Sequence, residues 1–157
     1  MAISRRWATP EHRYRLWARG RGSDQPDFEL GQVQCVQVSA GALWVANMVA
    51  QRGVRRSRGA APIRYDALRA CLSRVAAFAA GEGASVHMPR IGCGLAGGRW
   101  GDVERVVEEE VVGRGVAVYV YDLAAVGKGR GGRRRRGKSP ESGEKGGEAL
   151  LHPQPCG

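Results

Sequence analysis

HMPRIGCGLAGGRW, residues 87–100, decides how this chain is read. A short apolar stretch, Ala84-Ser85-Val86-His87-Met88, leads into it, and an acidic amphipathic run from Asp102 to Val112 follows. Glycine stands at 92, 94, 97 and 98, between a segment patterned as a strand and one patterned as a helix. Glycine gives access to positive φ and to close backbone approach, at an entropic cost for each residue ordered. Such a density implies that something lies against this backbone.

The flanks give the loop its setting. Valines 103, 106, 107 and 111 recur at helical spacing, with Glu104 and glutamates 108–110 largely on the other side. Gly113 and Gly115 close that helix, and residues 116–121, VAVYVY, form a β-branched strand. The order is therefore strand, glycine loop, helix, strand. In open α/β sheets ligands bind beyond the carboxyl ends of the strands. A helix amino terminus behind such a loop adds free N–H groups and a positive dipole end. The loop suits a phosphate cradle.

Two other templates touch the same residues. Gly92-Cys93-Gly94-Leu95-Ala96-Gly97 nearly fits the dinucleotide fingerprint, and Asp122 stands where the acidic partner of that fingerprint would fall. Cys93 and Arg99 also have the C-x5-R spacing of cysteine-dependent phosphatases, in which a thiolate attacks phosphorus. Those enzymes place His before the cysteine and Ser or Thr after the arginine, where this chain has Gly92 and Trp100. Cys93 then reads as a small filler facing the loop.

Upstream, Thr9-Pro10-Glu11 reads as a helix start with Thr9 as N-cap, and the helix stops at Gly20. Residues 32–38 alternate as a half-buried strand, residues 43–49 are mostly apolar, and the turn at 39–41 joins them into a hairpin. Residues 50–62 form a Gly- and Arg-rich loop. From Ile63 to Ala80, Leu68, Leu72, Val75, Phe78 and Ala79 mark a second amphipathic helix, ended by Gly81 and Gly83.

With 157 residues the chain can bury one real core. The formal net charge is +10, nearly all from arginine, and half of it sits in residues 124–157. That stretch has nine glycines, the arginines 133–136 and almost nothing to bury, so disorder is expected. The chain divides into a domain over 1–123 and a basic tail over 124–157. Its cations could contact nucleic acid weakly and without sequence preference, or remain a solvated tail; no aromatics are interleaved for base stacking. No run of about 18 apolar residues exists, which argues against a membrane helix. The amino terminus lacks the apolar core of a signal peptide. The four cysteines show no CxxC spacing and the three histidines are scattered, so neither a zinc site nor another metal or cofactor is expected. A reduced cytoplasmic protein is the default.

HMPRIGCGLAGGRW, with the acidic helix and the VYVYDL that follow it, resembles the C-terminal part of a macrodomain. The nearest branch holds terminal ADP-ribose glycohydrolases and the macrodomain of a chromatin remodeller. The resemblance extends back through LWVANMVAQRGVR and the 63–80 helix to about residue 30, and more weakly to Ser4. It implies a three-layer α/β/α fold around a mixed sheet, with ADP-ribose or an ADP-ribosylated macromolecule as partner. Ile91, Gly92, Cys93, Gly94, Leu95, Ala96, Gly97 and Gly98 would wrap the diphosphate and distal ribose. Asn47, Met48 and Gln51 would line the floor near that ribose. Tyr121 and Asp122 would sit toward the adenosine, and Trp100 would cap the base of the loop.

Two departures from the family pattern bear on activity. Hydrolytic members of this branch carry an acid just after Cys-Gly-Leu, where this chain has Ala96, and a lysine at the end of the strand matching 43–49, where it has Asn47-Met48-Val49-Ala50-Gln51. No catalytic residue is therefore assigned, and binding is favoured over ADP-ribosyl hydrolysis, which stands as the alternative. The family's opening strands, adenine-reading acid and first glycine loop do not precede Ser4 in this sequence. The resemblance thus implies an N-terminally shortened domain with four recognisable strands, exposed sheet edges and weakened binding.

Overall fold

The computed structural model describes residues 2–21, 25–41, 43–54 and 59–122. The basic tail, with the disorder and the domain boundary expected of it, lies outside the described residues. Helices α1 (Ala2–Arg6) and α2 (Thr9–Trp17) come first. The hairpin β1 (Val33–Ser39) and β2 (Leu43–Met48) follows, then α3 (Tyr65–Gly81), β3 (Val86–Pro89), α4 (Trp100–Glu110) and β4 (Val118–Tyr121). A 3-10 turn, Val112–Arg114, leaves α4 toward Gly115, which has a φ of 78°. Among the described residues no helix is long and apolar enough to cross a membrane.

The fold is mixed α/β, with one antiparallel and one parallel strand pair. β1 and β2 pair antiparallel, and β3 and β4 pair parallel across the α4 crossover. Among the described residues the pairs remain two separate two-stranded sheets. The hairpin lies between two helices. Gln34 and Asn47 turn toward α2, where the Asn47 amide donates to the Pro10 carbonyl at 2.9 Å. Trp44, on the other face, packs edge-on against Phe78 of α3 at 5.1 Å.

Helix periodicity sets the core. Leu68, Leu72, Ala76 and Ala79 of α3 share one core with Val103, Val106 and Val107 of α4 and with Val111 just past its end, together with Met88 and Val116. Each fully buried valine or leucine contributes about 1.5–3 kcal/mol relative to exposure. Arg69 reinforces the α3–α4 contact from outside, pairing with Glu109 at 2.6 Å and Glu110 at 2.8 Å.

Three local expectations are corrected. Thr9 is not an N-cap: α2 begins at Thr9 itself, after Ala8 in helical backbone, with no side-chain cap. The chain arrives there already turning from α1, so Ala8 supplies the first carbonyl, to the N–H of His12. α3 starts two residues late, at Tyr65, because Arg64 is extended. α4 starts two residues early, at Trp100, after the extended Arg99.

Candidate functional site

The glycine loop runs from the end of β3 to the start of α4. Gly92 sits at φ 74° and Gly97 at φ 69°, backbone that side chains other than glycine rarely adopt. The Gly98 N–H donates to the Gly92 carbonyl at 2.8 Å and the Gly97 N–H to the Gly94 carbonyl at 3.0 Å, which folds the loop back on itself. A Cβ on Gly98 would come within 2.8 Å of the Gly92 oxygen, and one on Gly92 within 2.7 Å of Ile63 Cδ1. Packing against backbone demands Gly98, and the positive φ demands Gly92. A Cβ on Gly94 would meet nothing within 4 Å, so internal packing does not require that glycine.

The floor of the loop is Ile63. Its N–H donates to the Ala96 carbonyl at 3.2 Å while its side chain fills the space under Gly92 and Gly98. Ile63 also pairs antiparallel with Gln51, which joins the end of the hairpin to the loop. Two residues on, the Tyr65 hydroxyl accepts the Arg99 N–H at 3.1 Å. Ala96 is 5% exposed and belongs to the core, whereas Leu95 beside it is 86% exposed. The crest of the loop stands in solvent and its base is anchored. Among the described residues, the N–H groups of 92–96 donate to no protein acceptor. These five successive amides, without a partner among the described residues, precede the α4 amino terminus.

The two ends of the loop are tied. Arg90 makes a forked pair with Asp122, Nε to Oδ1 at 2.7 Å and Nη2 to Oδ2 at 2.9 Å. Its guanidinium lies 5.1 Å from the Trp100 ring centre. The Arg90 guanidinium holds the Asp122 carboxyl below its ordinary value.

The residues expected at the site are distributed as follows. Ile91 and Cys93 are half-buried and pack on the core, with the Cys93 thiol 3.4 Å from the Ile91 carbonyl. Met48 also packs on this core. The Asn47 amide is committed to Pro10 and to Gln34 Oε1, the latter at 3.1 Å. Gln51 is exposed and donates to the Gly53 carbonyl at 2.8 Å. The Tyr121 hydroxyl bonds His87 Nδ1 at 2.8 Å, and Asp122 is held by Arg90. Trp100 is the first residue of α4, half-buried beneath Arg90.

The phosphatase template finds no support in this geometry. Burial pushes the Cys93 thiol up, only partly offset by Arg90, and a nucleophilic thiolate requires the opposite shift. The Arg99 side chain is 88% exposed and leans toward Asp102 at 3.9 Å. Sequence reasoning missed Ile63, Tyr65 and Arg90. Arg90 carried a signal, as the cation directly before the glycine loop; Ile63 and Tyr65 contact the loop from some 30 residues away and carried none.

No protein-family model matches the sequence. Chromodomain-helicase-DNA-binding protein 1-like of Danio rerio aligns over 126 residues at 30% identity, covering 76% of this chain. The chain spans only 12% of that relative's length. A solved structure of a protein of unknown function from Bacteroides thetaiotaomicron is 50% identical, with a TM-score of 0.71 over 78% of this chain and 75% of that one. A second structure from the same organism is 49% identical, with a TM-score of 0.70 and coverages of 78% and 76%. The solved macrodomain protein from Streptomyces coelicolor is 48% identical, with a TM-score of 0.66 over 78% of this chain and 76% of that chain. Identity and shared fold over three quarters of both chains lead to one assignment: this chain belongs to the macrodomain family.

Proposed function

We propose that this protein is an ADP-ribose-binding module in which residues 92–98 cradle the diphosphate. The observation that carries the reading is the row of amides at 92–96 with no acceptor among the described residues, on a loop held from below by Ile63 and followed by the amino terminus of α4. A hydrogen bond from an amide to a charged oxygen contributes roughly 1.5–3 kcal/mol, so two or three suffice for a measurable site. Met48 and Gln51 lie on the hairpin side that Ile63 joins to the loop, and Tyr121 lies at the end of β4, where Asp122 is engaged by Arg90. Met48, Gln51 and Tyr121 are the proposed contacts for the ribose and adenosine ends. The Asn47 amide reaches ligand only by leaving Pro10 and Gln34.

The module binds rather than hydrolyses. Ala96 lies in the apolar core cluster, where a carboxylate would be buried at a large desolvation cost. No lysine ends β2 to act as a nucleophile. Titration calorimetry with ADP-ribose tests binding, with adenosine as the control that lacks phosphate. Saturable binding of ADP-ribose alone is expected. Absence of heat at concentrations of about 1 mM, equivalent to roughly −4 kcal/mol, would remove the reading. Release of ADP-ribose from a modified acidic side chain, lost on substitution of Gly92 but kept without Cys93, would overturn the binding-only assignment.

A further inference from the structure

We propose that Arg90 is a latch that holds the glycine loop in its binding shape, with Asp122 as its keeper rather than a ligand contact. The loop enters at Arg90 and leaves at Trp100, and the side chains of these two residues meet. The same guanidinium forks onto both oxygens of Asp122, at the end of β4. One side chain therefore joins three points: the start of the loop, its end, and the neighbouring strand. β3 and β4 share only four registered residue pairs, so the backbone alone holds their ends weakly. A forked guanidinium–carboxylate pair fixes orientation as well as distance, which lysine cannot reproduce. The inference deepens the proposed function, since the shape being held is that of the proposed phosphate cradle.

The latch differs in its consequences from direct recognition. If Arg90 and Asp122 act through one contact, losing either loses all of it. Arg90→Ala and Asp122→Ala should each weaken ADP-ribose binding about tenfold, and the double variant should be no weaker than either single one. Arg90→Lys should behave like Arg90→Ala, because charge without the fork does not orient Asp122. If both residues instead touched ligand on their own account, the two losses would multiply and the double variant would be about a hundredfold weaker, and that result overturns the latch. Amide hydrogen exchange of residues 92–98 in the ligand-free protein supplies an arm that needs no ligand. Exchange at Gly97 and Gly98, whose N–H groups close the loop, should speed up in all of these variants, while exchange within the β1–β2 hairpin stays unchanged. Unchanged exchange at Gly97 and Gly98 rejects the latch even if binding falls. Should the wild-type protein fail to bind ADP-ribose, the proposed function falls, and the exchange arm still decides the latch.

Discussion

The antiparallel pair β1–β2 and the parallel pair β3–β4 are closed by different means. The hairpin is joined by a short turn and lies between α2 and α3, with Asn47 and Gln34 bonded into α2 and Trp44 set against Phe78. The parallel pair cannot be joined by a turn; it needs the crossover through the glycine loop and α4. One of its faces packs on the core through Met88, and the other carries His87, Tyr119 and Tyr121, the tyrosines 52% and 56% exposed. Parallel strands are ordinarily covered on both faces. On this more exposed face side chains tie the strands together: His87 bonds Tyr121 and stacks on Tyr119 at 4.7 Å, and at the strand ends Arg90 bonds Asp122. The proposed ligand loop belongs to the pair whose backbone closes least by itself, so its shape depends on Ile63, Tyr65 and Arg90.

That contrast can be broken at the turns. Gly98→Ala places a methyl 2.8 Å from a backbone oxygen. Chemical denaturation should show a loss of about 1–3 kcal/mol, the usual cost of forcing an extra carbon into a packed site. ADP-ribose affinity should fall with it. Gly41→Ala in the hairpin turn, where the nearest atom lies 4.0 Å away, should stay within about 0.5 kcal/mol of wild type. Equal effects at the two turns would erase the distinction drawn between the regions.

On the hairpin side the expected weak point is Asn47. Asn47→Ala removes the donor to Pro10 and leaves the buried Gln34 without one of its partners. A loss of about 1–2 kcal/mol is expected in thermal or chemical unfolding, in the range for an orphaned buried polar group. A neutral substitution would show that α2 is held by other contacts.

Gly94 sharpens the contrast between packing and recognition. Gly94→Ala meets no protein atom, so stability should change by less than about 0.5 kcal/mol. A several-fold fall in ADP-ribose affinity is nonetheless expected if ligand lies against this backbone. Unaltered affinity would place the diphosphate elsewhere on the loop.

The smallest effect is electrostatic. Arg90 depresses the Asp122 carboxyl below its ordinary 3.8, so the pair's contribution is complete above that value and is lost as pH falls through the depressed one. Glu104 and Cys93 also act on Arg90, so they belong to the same electrostatic group. A carboxyl titration by NMR should find Asp122 below its usual range in wild type and back near it in Arg90→Ala. Because both groups are exposed, the effect should shrink with added salt.

Periodicity made most of this fold legible. The hairpin, the α3 and α4 faces and the strand–loop–helix–strand order follow from apolar spacing and glycine placement, and burial of Leu72, Val103 and Val111 follows from the same pattern. The ends of helices were less legible, because Ala8, Arg64 and Arg99 take conformations set by the preceding chain. Within the site, local glycines announced the loop. What holds it came from afar: Ile63 and Tyr65 from ahead of α3, Asp122 from beyond α4. Sequence spacing carries no information on which distant side chain fills a given hollow. The resemblance implies ligand contacts for Asn47 and Asp122, and in this chain their side chains also bond Pro10, Gln34 and Arg90. Those bonds became visible only once the elements were assembled.

The central claim is that the ligand meets the loop between β3 and α4, and not the hairpin turn or α2. Amide chemical-shift mapping during titration with ADP-ribose tests it most directly. The largest shifts should fall on residues 92–98 and the first residues of α4, with the turn around Ser39 to Leu43 unmoved. Saturable shifts confined to α2 and the hairpin turn, with residues 92–98 silent, would contradict it.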